Sequence, residues 1–273
     1  MRRLTGILAA AAVAVAGAAG ASRTAADPWS GWTRLTFEAR KILFFYGQVD
    51  MVLRDQGGRR TLETRTRATF LGAELARSRS LTTIDTTTGR TLEFHELSRK
   101  RGRRYVFGEA GYTVERLVPS NGPDAPLSEW SVTSKRSFPY PPATGPAGAP
   151  RVFDYYGMIL HLRETKLEKP GDEVVIHVAT SHGVEPYRVR VGQERASQRQ
   201  FRDIASGAMR TVPVRELRLR IQPVDPAQAE EGFLRMEGET EIWVEAGSRT
   251  LLEIDGEIPR IPGRVEIGLA ALG

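Results

Sequence analysis

There is no cysteine among the 273 residues. That excludes disulfide staples, so stability has to come from packing. It also excludes the lipid-attachment cysteine of a bacterial lipoprotein, and no thiolate can complete a zinc site. Histidine is scarce too. His95, His161, His177 and His182 are scattered along the chain. No Gly-x-Ser-x-Gly elbow, P-loop or dinucleotide fingerprint occurs. Internal repeats are missing as well. Paired-carboxylate chemistry needs two acids at a fixed separation in a cleft, which a sequence does not reveal. No metal, cofactor or catalytic constellation is therefore expected.

Long apolar runs are also few. The most prominent is Leu4 to Ala18, behind the basic start Met1-Arg2-Arg3 and ahead of the small-residue triplet Ala19-Gly20-Ala21. This is the pattern of a secretory signal cleaved near Ala21, which places the mature protein in the periplasm. A spanning helix needs about 20 strongly apolar residues, and this run is shorter and rich in alanine. The surroundings of Arg2-Arg3 fit the twin-arginine route poorly, so the general secretory route is expected. Residues 22–31, with Pro28, read as a flexible leader into the fold.

The charge is modestly basic: 39 Lys and Arg against 33 Asp and Glu, a formal +6. In an exported protein this points away from nucleic acid and towards an anionic membrane surface, or simply to solubility. The densest charge is Arg99, Lys100, Arg101, Arg103 and Arg104 around Gly102. It is expected at the tip of a hairpin, where it can either attract an anionic surface or guard a sheet edge.

From Trp32 onward the dominant period is two, the mark of half-buried strands. Tyr187, Val189 and Val191 alternate with Arg188 and Arg190; Leu217, Leu219 and Ile221 alternate with Arg218 and Arg220. Over 234–244, Ile242 and Val244 oppose Glu239, Glu241 and Trp243. Over 250–258, Leu252 and Ile254 oppose Glu253 and Asp255, with Leu251 on the wet side. If 217–221 pairs with 234–244, acids meet arginines across the wet face. Further strands are read at 33–53, 60–70, 74–83, 91–97, 103–107, 112–118 and 129–137. Residues 139–150, with five prolines, read as a surface connection within one domain spanning 32–273. One segment breaks the period: Val152 to Glu164 has helical spacing and should lay an amphipathic helix on the dry side. The fold class is therefore mainly β, a strongly curved antiparallel sheet (half-barrel or open barrel) with one principal helix.

The segment Asp154-Tyr155-Tyr156-Gly157-Met158-Ile159-Leu160-His161-Leu162-Arg163 resembles that of a bacterial envelope family, domain of unknown function 3108. The strand at 211–223, the strand end Ile242-Trp243-Val244 and the ending Gly263-Arg264-Val265-Glu266-Ile267-Gly268-Leu269 follow in the same order. The chain departs from that pattern at Gly157 and at Ala246-Gly247-Ser248. The resemblance implies an exported half-barrel similar to lipoprotein carriers, with no catalytic residues.

The leading functional expectation is non-catalytic binding of a lipophilic envelope component, such as a lipid or lipoprotein acyl chain, in the concave sheet. Tyr155, Ile159, Leu160, Leu217, Leu219, Ile242 and Ile254 would face that space. Two alternatives stand beside it: an interaction module of the envelope with a filled core, and a hydrolase-type enzyme on an atypical site. His95 is expected on a wet face, and Asp154, His161 and Glu164 in capping or surface roles.

Overall fold

The computed structural model describes residues 28–41, 45–119, 121–142, 150–227, 232–259, 261 and 263–273. The leader and most of the proline-rich connection lie outside them. Alternating side chains carry the chain into β1 (Arg34–Lys41), β2 (Phe45–Gln56), β3 (Arg59–Phe70), β4 (Ala73–Asp85), β5 (Thr91–Ser98), β6 (Gly102–Phe107), β7 (Gly111–Val118) and β8 (Ser131–Pro139). Each pairs antiparallel with the next in an up-and-down meander. The stretch 33–53, read as one strand, is thus a hairpin of two.

The second half comprises β9 (Val152–Phe153), α1 (Tyr155–Leu162), β10 (Glu173–Ala179), β11 (Val184–Asp203), β12 (Met209–Pro223), β13 (Glu237–Glu245), β14 (Leu251–Glu257) and β15 (Arg264–Leu272). β15 joins β1, so all fifteen strands form one sheet in the order β8 to β1, then β15 down to β9. A short parallel pairing of Arg202 and Asp203 with Ala271 and Leu272 brings the far end of β11 back to β15. The strands β11 to β15 therefore close into a ring, which removes free edges there.

The expected cross-strand charge ladder is present on β12 and β13. Arg220 faces Glu241 in register, and Arg218 and Arg220 lie 3.5 and 3.4 Å from Glu241. Leu234, read as strand, instead sits in a turn before β13 with φ of 53°. Leu251 is buried rather than wet. Trp243 and Glu253, on the nominally wet face, are buried as well. The reason is β11: its far half carries Arg195 to 3.6 Å over the Trp243 ring and Arg199 to 2.8 Å from Glu253.

The helix is shorter than the pattern suggests and buried on almost every side. Tyr155, Gly157, Met158, Ile159, Leu160 and Leu162 are all buried, and His161 stacks 4.5 Å from Phe153. It packs against β4 from the first half and against β9 and β10 from the second. Strands from both halves of the sheet therefore cover it, and of the stripe that reads as polar Asp154 and Gly157 are buried, His161 is half-buried and Glu164 is exposed. Among the described residues no helix is long and apolar enough to cross a membrane.

Candidate functional site

The junction between the two halves of the sheet is built around Asp154. Its backbone is extended and its side chain caps α1, accepting from the N–H groups of Tyr156 and Gly157 at 3.0 and 3.1 Å. The same carboxylate accepts from Thr82 Oγ1 of β4 at 2.8 Å and Thr91 Oγ1 of β5 at 3.2 Å. Asp154 is fully buried. Burial pushes its carboxyl above the ordinary carboxylate range, against the pull of these four donors. The side chain is a polar rivet that fastens the helix to the N-terminal meander. Tyr112 adds a second tie, donating from its hydroxyl to the Thr180 carbonyl at 2.9 Å.

On its other side the helix is held by aromatic packing. Tyr155, Tyr187 and Phe233 meet edge to face, with ring centroids 5.8–6.4 Å apart. Tyr156 turns the opposite way to Phe94, 6.2 Å away. Burial pushes the Tyr156 phenol up to about 12, so it stays protonated at neutral pH.

The seven residues expected to line a lipophilic space are found together, but packed into one continuous apolar cluster. Tyr155, Ile159, Leu160, Leu217, Leu219, Ile242 and Ile254 are between 0 and 8% exposed and are all members of it. Two small depressions flank the helix instead, sharing Arg151. One, of about 220 Å³, is lined by Arg60, Asp85, Thr87 and Glu164; the other, of about 270 Å³, by Arg90, Glu109, Tyr140 and Phe153. Both are lined largely by polar groups.

The basic cluster separates into two parts. Arg99, Lys100 and Arg101 are exposed in the β5–β6 turn. Arg103 and Arg104 have returned to the sheet, Arg103 3.8 Å from Glu96 and Arg104 paired with Glu93 and Glu115. Alternation explains the difference: the turn residues meet water, whereas the β6 residues lie beside acids of β5 and β7. Gly102 separates the two parts and lies against Trp130; a Cβ there would stand 2.8 Å from its ring.

His95 is buried, not wet. Its Nε2 lies 3.5 Å from Glu93. Burial, with Arg104 and Arg79 nearby, holds its ring below the ordinary histidine range despite Glu93 and Glu115. Among the described residues no three His, Asp or Glu side chains converge as a metal site would require.

The sequence reading missed a second charged centre. Glu216 of β12 is fully buried and accepts from Ser197, from Arg195 at 3.0 Å and from Arg199 at 2.6 and 2.9 Å. Arg199 also reaches Glu253. Burial opposes the charge on Glu216, yet these donors hold its carboxyl below the usual range. Glu253, with fewer donors, is pushed up by burial. The alternation Arg195-x-Ser197-x-Arg199 was the available signal, but pairing it with Glu216 needs the register of β11 and β12. The groups are fully engaged with one another, as a structural network would be.

No family model matches the chain, and no curated protein matches it. The fold does resemble a solved one: the crystal structure of a beta-barrel-like protein of domain of unknown function DUF1849 from Brucella abortus. The two share a TM-score of 0.52 and 8% identity, over 88% of this chain and 95% of that one. At that identity the likeness is one of fold alone. The chain is thus mainly β and barrel-like, with one buried helix.

Proposed function

We propose that the chain is an exported, non-catalytic binding module of the bacterial envelope that works through its outer surface around a filled interior. One observation carries this reading: the seven residues placed to line a lipophilic hollow are packed against one another in the core. The leader at 1–21 supports export, and the resemblance at Asp154 to Arg163 to domain of unknown function 3108 supports an envelope setting. A non-catalytic role agrees with Glu216, Arg199 and Glu253 binding each other as a structural network.

The second reading keeps an acyl chain as ligand, in a space opened when α1 moves. The helix favours it, because its hold on the meander centres on Asp154. Native mass spectrometry of the protein purified from its own envelope separates the two. Equal masses under gentle and denaturing conditions support the filled module. A lipid-sized excess that disappears on denaturation supports the carrier and overturns the surface reading.

A further inference from the structure

The β3–β4 hairpin projects past β5 on one side, while on the other β2 runs beside β3 as far as the Phe45–Phe70 pair. The last β5 partner of β4 is Ser98, opposite Ser78. β4 begins five residues earlier at Ala73, an overhang of about 17 Å. The tip carries three large apolar side chains in water: Phe70 is 49% exposed, Leu71 65% and Leu75 59%. Leu71 and Gly72 have φ of 50° and 79° between the paired Phe70 and Ala73. Two positive φ values in a two-residue turn call for Asn-Gly or Gly-Gly. The β2–β3 turn at the opposite end obeys this, with Gly57 and Gly58 at 57° and 76°. At the β3–β4 tip a leucine stands in the strained position, and neither burial nor turn preference accounts for it.

Behind the tip lies a basic face. Arg65 pairs in register with Arg79, and Arg67 with Arg77, so four guanidiniums share one side of the arm. Their acidic partners are few: Glu63 serves both Arg65 and Arg79, Glu74 lies 3.9 Å from Arg67, and Asp124 meets Arg77. Arg65, Arg67 and Arg77 stay more than half exposed. Cross-strand like charges are unfavourable in water alone. The exposed turn Arg99, Lys100 and Arg101 lies at the same end of the sheet, next to the foot of the arm.

We propose that this hairpin docks the protein on an anionic phospholipid bilayer. Phe70, Leu71 and Leu75 enter the headgroup boundary, and the arginine face lies against lipid phosphates. The inference goes beyond the surface-acting module proposed above and gives that surface its partner. The complementarity is twofold, apolar tip to acyl boundary and guanidinium to phosphate, and it explains the leucine at a glycine-type position.

The absence of cysteine allows a direct test, because Leu75→Cys offers the only thiol for an environment-sensitive fluorophore. The full chain labelled there should shift its emission to the blue with phosphatidylglycerol-containing vesicles. It should not do so with phosphatidylcholine vesicles. The same label at Val175→Cys, exposed on β10, should not respond. In co-sedimentation, Leu71→Asn should weaken binding to the anionic vesicles about tenfold while raising the melting temperature, since Asn suits the turn. Arg67→Glu with Arg77→Glu should weaken it comparably. A silent Leu75 label, or unchanged binding by both variants, overturns the proposal, as does a Leu71→Asn chain that loses stability. The native mass is unaffected by any of these results, so failure here is distinct from failure of the filled-interior reading.

Discussion

Gly157 lies in contact with Asp154: a Cβ added at Gly157 would stand 2.7 Å from Asp154 Oδ2 and 2.8 Å from Thr91 Oγ1. The glycine is in the first turn of α1, where alanine would raise helix propensity by roughly 1 kcal/mol. Crowding the rivet should outweigh that gain. Gly157→Ala is expected to destabilise the protein by about 1–3 kcal/mol, read as a lower urea midpoint at unchanged slope.

Asp154 itself has a pH signature. Its carboxyl is raised by burial, so the native state holds the proton more tightly than the unfolded chain. Its contribution is complete below the ordinary aspartate pKa of 3.8 and declines as pH rises through the raised native value. Asp154→Asn keeps a capping oxygen without the charge. At neutral pH it should match or exceed the parent, and the parent should gain on it as pH falls. Asp154→Ala should lose about 1–2 kcal/mol for the cap alone. Urea titrations across pH 4–8 check both variants.

The histidines shift stability the other way. His95, His161 and His177 are all held below the ordinary 6.5, with burial the largest cause. A depressed native pKa means the unfolded chain binds more protons, so stability falls as pH drops through 6.5 towards the native values. The acid slope should flatten in His95→Gln, measured as the difference in unfolding free energy between pH 7.5 and 5.5.

Arg199 bridges Glu216 and Glu253. Arg199→Met removes the cation from buried Glu253 and leaves Glu216 with Arg195 and Ser197, and should cost about 3–5 kcal/mol near neutral pH. The deficit should shrink towards pH 4, where Glu253, already raised, takes up a proton. Equal deficits at both pH values would show that lost packing, not lost charge, dominates.

Much of the fold was legible because alternation is local. Leu217, Leu219 and Ile221 announce a strand with one dry face, and the Arg220–Glu241 pairing follows from charge order. What stayed hidden depends on long-range geometry. His95 and Trp243 alternate with the polar set, yet both are buried: Trp243 by Arg195, which arrives from 48 residues away along the chain, and His95 within its ion-paired surroundings. The same limit applies to the core. A buried stripe such as Ile242 and Ile254 reads alike whether it lines a hollow or fills one, because periodicity reports which face is dry and not what opposes it.

The filled interior is tested most directly by titrating lipid-free protein with the hydrophobic fluorophore N-phenyl-1-naphthylamine, alongside Leu219→Trp. Leu219 is 1% exposed and a member of the apolar cluster. With the interior occupied by its own side chains, the protein should show no saturable one-to-one binding. A saturable one-to-one site that Leu219→Trp abolishes in a chain that still folds would mean the hollow is open, and would contradict the account.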